Sequence, residues 1–298
     1  MKAKLELITM LEYNMDAVNT IMTTSSNIII SVSNDKSIML FDYNYRIIQK
    51  IENAHNGIIF DISLKDDNNF ATCSQDKSIK TWRKSLNDKY LIDKVLNNIH
   101  ENDIHKIEYL KNDTIISGSK DMKIKIWNLI NNEYKCTLVL NNNIPIYSLL
   151  YSPKENILSS AGTLFTRIWD TSNLINPLIS QIDVVCHGKN ALQKLDDNRV
   201  VFGSRFKIKI ISIKEKQVSK KIKSAFLVWA ICVIENKQLF ICGGVSNDLE
   251  IFSSVNYENL GLIPNCHNGN LRGISLLNNG KIITGSEDKK TKIWKIII

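Results

Sequence analysis

The sequence predicts an all-β chain folded as a closed ring of seven similar units. Related segments recur and end on Phe41, Trp82, Trp127, Trp169, Ile211, Phe252 and Trp294, a step of about 42 residues. Such a period suits either a ring of small sheets or an array of helices. Apolar and polar residues alternate with period two in "MKIKI", ending at Ile126, and in "SIKTW", ending at Trp82, and Ile, Val, Thr and aromatics dominate. The alternation decides for strands.

Taken in order, the units differ in how well they keep the pattern. The first ends "SVSNDKSIMLF" and the fourth "ILSSAGTLFTRIW", both partial copies. The second, "FATCSQDKSIKTW", the third, "IISGSKDMKIKIWN", and the seventh, "IITGSEDKKTKIW", are strong copies. The fifth, "VVFGSRFKIKII", and the sixth, "FICGGVSNDLEIF", are weak ones. Turn-forming clusters such as Lys65-Asp66-Asp67-Asn68-Asn69, Lys111-Asn112-Asp113 and Asn278-Asn279-Gly280 divide each period into four short strands. The seventh unit runs out at "KIII", one strand short. "AKLELITML", Ala3 to Leu11, alternates well enough to supply it, so the start of the chain is expected to complete the last unit and remove the open sheet edges. One domain spanning 1–298 follows, and the 44% apolar fraction is enough for its core.

These residues resemble the WD-repeat (WD40) family, whose repeat opens near a Gly-His pair, carries Ser/Thr and then Asp before its third strand, and closes that strand on Trp-Asp. The resemblance covers essentially the whole chain and implies a seven-bladed β-propeller. It also implies a hydrogen-bonded tetrad in three units: His55, Thr72, Asp76 and Trp82; His100, Ser117, Asp121 and Trp127; and His267, Thr284, Asp288 and Trp294. A buried indole N–H, a hydroxyl, an imidazole and a carboxylate satisfy one another, and a polar group left unpaired there costs about 1–3 kcal/mol. In "KIKIW", Ile124 and Ile126 are expected on one face of the strand, with Lys123, Lys125 and Trp127 on the other. Departures are plain. Trp169-Asp170 is the one literal Trp-Asp pair, Thr163 stands where the fourth unit needs Asp, and the fifth and sixth units lack a complete tetrad.

The net charge of +8 raises the possibility of nucleic acid or an anionic membrane as partner. Lysines recur at equivalent strand positions, among them Lys77, Lys80, Lys123, Lys125, Lys207, Lys209, Lys289, Lys290 and Lys292, which reads as a solvated rim; the densest run is Lys216 to Lys223. The Phe-Arg-Arg-Gly motif of phosphoinositide-binding propellers is missing. The six cysteines, Cys73, Cys136, Cys186, Cys232, Cys242 and Cys266, lack paired spacing, which argues against a disulfide framework and for an intracellular, cytoplasmic setting, a nuclear one included. Cys186-His187 and Cys266-His267 are adjacent residues that point apart on an extended chain, so no metal site is expected. No cofactor is expected either. No phosphate loop, nucleophile elbow or zinc-protease helix is present, so nothing specifies an enzyme. No apolar run approaches the roughly 18 residues of a membrane span, and the amino terminus carries no secretory signal.

Surface recognition remains, and the resemblance implies that partners dock on the narrow top face near the central channel. The residue there follows the first apolar position of each innermost strand. It is Asn19, Phe60, His105, Tyr147, Trp229 and Arg272 in the first, second, third, fourth, sixth and seventh units, and Asn190 in the fifth. Ile58, Asp103, Pro145 and Leu227 precede four of these, and Gln75, Lys120 and Glu287 lie just before the tetrad aspartates. Aromatic groups and an arginine on one rim have the composition of an interaction hot spot. The expected role is a protein- or peptide-binding scaffold within a larger complex. The alternative is a basic propeller that binds RNA, a ribonucleoprotein or an anionic membrane surface.

Overall fold

Among the described residues, alternation of buried and solvent-facing positions builds twenty-eight strands, and they assemble into seven four-stranded antiparallel sheets. The computed structural model describes residues 3–13, 16–173, 175–183, 186, 188 and 190–297. Blade 1 comprises β2 (Val18–Thr23), β3 (Ile29–Ser33), β4 (Ile38–Phe41) and β5 (Ile47–Ile51). Blade 2 comprises β6 (Ile59–Asp66), β7 (Asn69–Ser74), β8 (Ile79–Lys84) and β9 (Tyr90–Leu96). Blade 3 is built from β10 (Ile104–Tyr109), β11 (Thr114–Ser119), β12 (Lys123–Ile130) and β13 (Glu133–Asn141), and blade 4 from β14 (Ser148–Ser152), β15 (Ile157–Ala161), β16 (Thr166–Asp170) and β17 (Leu178–Ile182). Blade 5 contains β18 (Leu192–Lys194), β19 (Arg199–Ser204), β20 (Lys207–Ser212) and β21 (Gln217–Lys223). Blade 6 contains β22 (Val228–Ile234), β23 (Leu239–Gly244), β24 (Leu249–Ser253) and β25 (Asn259–Ile263).

Blade 7 takes β26 (Leu271–Leu276), β27 (Ile282–Ser286) and β28 (Thr291–Ile297) from the end of the chain and β1 (Lys4–Leu11) from its start. β1 pairs antiparallel with β28, from Lys4 opposite Ile297 to Leu11 opposite Thr291. The closing strand is therefore the one its alternation predicted. Ala3 N–H also donates to Leu260 O at 2.9 Å, tying the strand to blade 6, and a Cβ on Gly261 would come within 2.5 Å of the Ala3 carbonyl. Only a glycine admits that approach.

A strand buried on one face needs a neighbour to cover it, and here each blade covers the next. Seven hydrophobic clusters lie one between each pair of adjacent blades. Ile124 and Ile126 join Ile146, Leu149 and Leu158 of blade 4, whereas Trp127 joins Ala71, Cys73 and Ile79 of blade 2. The two faces of β12 thus divide as its pattern requires. Every pairing of the third and fourth strands carries a bulge at the same place, beside Phe41, Trp82, Trp127, Trp169, Ile211, Phe252 and Trp294. The extra residue adds local twist, so the periodic bulky residues mark a repeated bend as well as repeated packing. All six cysteines are free thiols and five are buried. Among the described residues no helix is long and apolar enough to cross a membrane.

Candidate functional site

The hydroxyl on the second strand of a blade is the hub of each tetrad. In blade 3, Ser117 Oγ accepts from Trp127 Nε1 at 2.9 Å and bonds His100 Nε2 at 2.8 Å, while His100 Nδ1 lies 2.8 Å from Asp121. Blade 2 repeats this with Thr72, Trp82, His55 and Asp76 at 2.9, 2.8 and 3.0 Å, and blade 7 with Thr284, Trp294, His267 and Asp288 at 2.8, 2.7 and 2.9 Å. Each aspartate also accepts backbone N–H bonds that close the top turn, from Asn56 and Ser78 in blade 2 and from Glu101 and Lys123 in blade 3. Burial alone would raise these carboxyls. The imidazole and N–H donors outweigh it and hold Asp76 and Asp121 far below the ordinary range and Asp288 at about 2. Burial lowers His55, His100 and His267 despite their carboxylate partners, so the neutral imidazole is favoured.

The other blades fill the same places differently. In blade 4, Ser160 Oγ accepts from Trp169 Nε1 at 2.8 Å and donates to the Oδ1 of buried Asn142 at 3.0 Å. Asn142 replaces the tetrad histidine, a substitution hidden in the sequence because the spacing is one residue longer than in the strong copies. The strand partners align the hub across all blades: Ser31 opposite Met39, Phe202 opposite Lys209 and Cys242 opposite Glu250 occupy it in blades 1, 5 and 6. Cations opposite the hub are not simply a solvated rim. Lys80, Lys125 and Lys292 donate to the carbonyls of Ala54, Ile99 and Cys266, each just before a tetrad histidine, at 2.6–2.7 Å, and Arg167 does likewise to Asn142 O. Glu250 reverses the polarity, accepting from Ser224 Oγ at 2.7 Å and from Ala225 N–H.

The top-face positions share a backbone device. Asn19, Phe60, His105, Trp229 and Arg272 are each the extra residue of a bulge where the first strand of the blade meets the second. A bulge re-aims its side chain, here toward the channel mouth. Tyr147 stands just before β14, its N–H bonded to Ala161 O. The positions are not equally presented. Phe60 stacks on His105 with ring centres 4.4 Å apart, and His105 meets Tyr147 at 5.1 Å. Phe60, His105 and Asn19 are buried, whereas Tyr147, Trp229 and Arg272 are half-buried. Arg272 donates to Asn19 Oδ1 at 2.6 Å and pairs with Glu287, and Asn19 Nδ2 donates to Ile59 O at 2.8 Å.

Below this rim a polar network spans the channel. Lys106 Nζ lies 3.0 Å from the buried Asp61 carboxylate and 3.1 Å from Asn190 Oδ1, and Asn190 Nδ2 donates to Thr20 Oγ1 and to Arg272 O. Asn190 thereby joins blade 5 to blades 1, 3 and 7. Glu108 lines the same cavity of about 310 Å³, and its burial pushes the carboxyl up to about 7 against the pull of Lys106. Among the described residues no group of three or more His, Cys, Asp or Glu could hold a metal ion; His187 lies outside them.

One top-face opening lies off the axis. A cavity of about 530 Å³ is lined by Tyr147 and Thr163 of blade 4, Arg205 and Phe206 of blade 5, and Leu227 and Trp229 of blade 6. Tyr147, Leu227 and Trp229 come from the sequence pattern; Arg205 and Phe206 do not. The signal for them was positional, since they occupy the turn that holds Asp76-Lys77 and Asp288-Lys289 in the strong copies.

A closed ring of seven four-stranded blades, three with complete tetrads, defines a WD-repeat β-propeller. In agreement, the family described as "WD domain, G-beta repeat" matches residues 47–83, 94–128 and 260–295. These matches end on the tetrad strands of blades 2, 3 and 7. The chain is also 27% identical over 197 residues to Protein tipD of Dictyostelium discoideum, covering 61% of this chain and 30% of that protein. The chain therefore spans less than a third of the length of this curated relative.

Proposed function

We propose that this propeller is a non-enzymatic scaffold that holds protein or peptide partners on its top face, as a subunit of a larger assembly inside the cell. WD-repeat propellers generally serve as protein-interaction scaffolds. The observation that carries the reading is the half-exposed aromatic pair Tyr147 and Trp229, held at the mouth of the channel by a bulge and by the buried Phe60–His105 stack. Large rings braced from below lose little entropy on binding, which is what makes aromatic anchors effective. Asn19, Phe60 and His105 support this face, and direct contact falls to Tyr147, Trp229 and Arg272. The free and mostly buried thiols agree with a reducing compartment.

Affinity capture from cells tests this with the wild-type chain and a Tyr147→Ser/Trp229→Ser variant, at low and at high salt. Proteins retained at high salt by the wild type and lost by the variant are the expected result. Identical retention by both chains would remove the top face from the interaction.

A further inference from the structure

The charge of the chain is concentrated rather than spread. Residues 190–223, most of blade 5, carry ten Lys and Arg against three Asp and Glu, which is seven of the net +8. The three acids are at the bottom turns, and two are already paired, Asp196 with Arg199 and Asp197 with Lys194. The upper half of the blade is left with cations alone. Lys207 stands directly opposite Lys223, and Lys209 opposite Lys221, on adjacent strands. Directly opposed like charges destabilise a sheet. Among the described residues, Lys207, Lys220, Lys221 and Lys223 form no ion pair, and Lys209 reaches only the Asp183 carbonyl at 3.5 Å. Burial lowers the Lys209 ammonium, with Lys221 and Lys207 adding to the effect and Asp183 partly offsetting it.

Protection of an edge strand does not account for this ladder. The outer strands of the other blades carry one lysine each in β1, β5, β9 and β13 and none in β17 and β25, against three in β21. The ladder also runs into the off-axis cavity. Phe206, 57% exposed, precedes Lys207 and lines that cavity with Tyr147, Leu227 and Trp229, while Arg205 adds a cation to its wall.

We propose that blade 5 and its neighbours bind an extended acidic peptide of a protein partner, seating one bulky apolar side chain in the Tyr147–Phe206–Trp229 cavity and laying flanking carboxylates along the Lys207–Lys223 and Lys209–Lys221 pairs. The inference rests on the top-face reading and names its ligand. Alternate side chains of an extended peptide repeat at about 6.8 Å, the same spacing as alternate lysines on a strand. The apolar anchor distinguishes this ligand from a phosphate backbone or a lipid surface, neither of which requires a bulky apolar side chain beside its charges. Relief of the opposed ammonium groups is available only to an anionic partner.

Fluorescence anisotropy with labelled synthetic peptides tests it on the full chain. One probe alternates glutamate with small residues around a central phenylalanine; a second has serine for the phenylalanine, and a third lysine for the glutamates. Binding of the first peptide alone is expected, weakening as salt is raised. Phe206→Ser should weaken it about tenfold and Lys207→Glu/Lys223→Glu by more, at unchanged melting temperature because all three side chains are exposed. Equal binding of the serine peptide, indifference to these variants, or absence of binding would each overturn the proposal. So would tighter binding of poly(U) RNA or of phosphatidylserine vesicles. Should the capture experiment show top-face partners while the acidic peptide fails, the scaffold reading stands and this ligand assignment falls.

Discussion

Blades 3 and 5 build one architecture by opposite means. In blade 3 a polar hub, Ser117, satisfies an indole and an imidazole, and the chain runs on to Asp121, whose carboxylate closes the top turn. In blade 5 the hub is Phe202, fully buried, and the turn presents Arg205 and Phe206 instead. Replacing every member of a buried hydrogen-bonded set by apolar groups costs little, whereas removing one member strands the rest. A blade without a tetrad is thus stable, and its top turn is released from holding an aspartate. The exposed apolar residues of the top turns follow this division only in part, since Met122 is exposed in the turn of blade 3 despite its complete tetrad. Leu164, Phe206 and Val245 lie in blades 4, 5 and 6, while the complete tetrads of blades 2 and 7 keep Asp-Lys turns.

Exchanging the two solutions should produce the largest losses of stability. Trp127→Ala should cost about 3–5 kcal/mol through its cavity, and more for the stranded Ser117 and His100. Phe202→Ser in blade 5 should cost a similar amount, by opening a cavity and burying an unpaired hydroxyl. Thermal unfolding measures both, and a mild effect at either site would show that its blade does not depend on its hub. Next, Ser117→Ala should cost about 1–3 kcal/mol by orphaning the Trp127 indole N–H and the acceptor Nε2 of His100, and Asn142→Ala a comparable amount if blade 4 relies on its amide as blade 3 relies on its histidine.

Titration sharpens the contrast. The tetrad histidines are held below their ordinary 6.5, so the unfolded chain takes up protons first and stability falls as pH drops through that value. The depressed aspartates add a second loss below about 4, toward the value near 2 of Asp288. Glu108 has the opposite sign: with its carboxyl raised to about 7 from 4.5, it withdraws stability as pH rises between those values. Melting curves against pH should show Asp121→Asn flattening the acid limb, and Glu108→Gln raising the melting temperature above pH 7 but not at pH 4.

The smallest effect is the most specific. Lys221→Glu should stabilise the chain by about 0.2–1 kcal/mol, because it turns an opposed like-charge pair into an attractive one, while weakening acidic-peptide binding. Lys125→Glu should do the reverse to its blade, removing the bond to Ile99 O. If Lys221→Glu destabilises, the blade 5 lysines are structural after all.

Much of this was legible from the linear pattern, for reasons that are local. Strand periodicity is a property of neighbours two residues apart, and the tetrads recur at fixed intervals because bond reach fixes how far apart hub, ring and carboxylate may lie along a hairpin. Closure by Ala3–Leu11 followed from counting strands and the cost of an open edge. Asn142 escaped because one extra residue shifts its spacing, and the carbonyl-capping role of Lys80, Lys125 and Lys292 escaped because their partners lie 26 residues upstream. The top-face positions were found by alignment, but their exposure was not. Whether Phe60 is covered depends on His105 of the next blade, and whether Trp229 opens onto a cavity depends on blades 4 and 5 beside it. Repeat, strand and hub are written within single units of the chain, because each is set by a few adjacent residues. Burial, the channel network through Asn190 and the union of Phe206 with a lysine ladder arise only when seven unequal units close into a ring, because each depends on residues from more than one strand or blade.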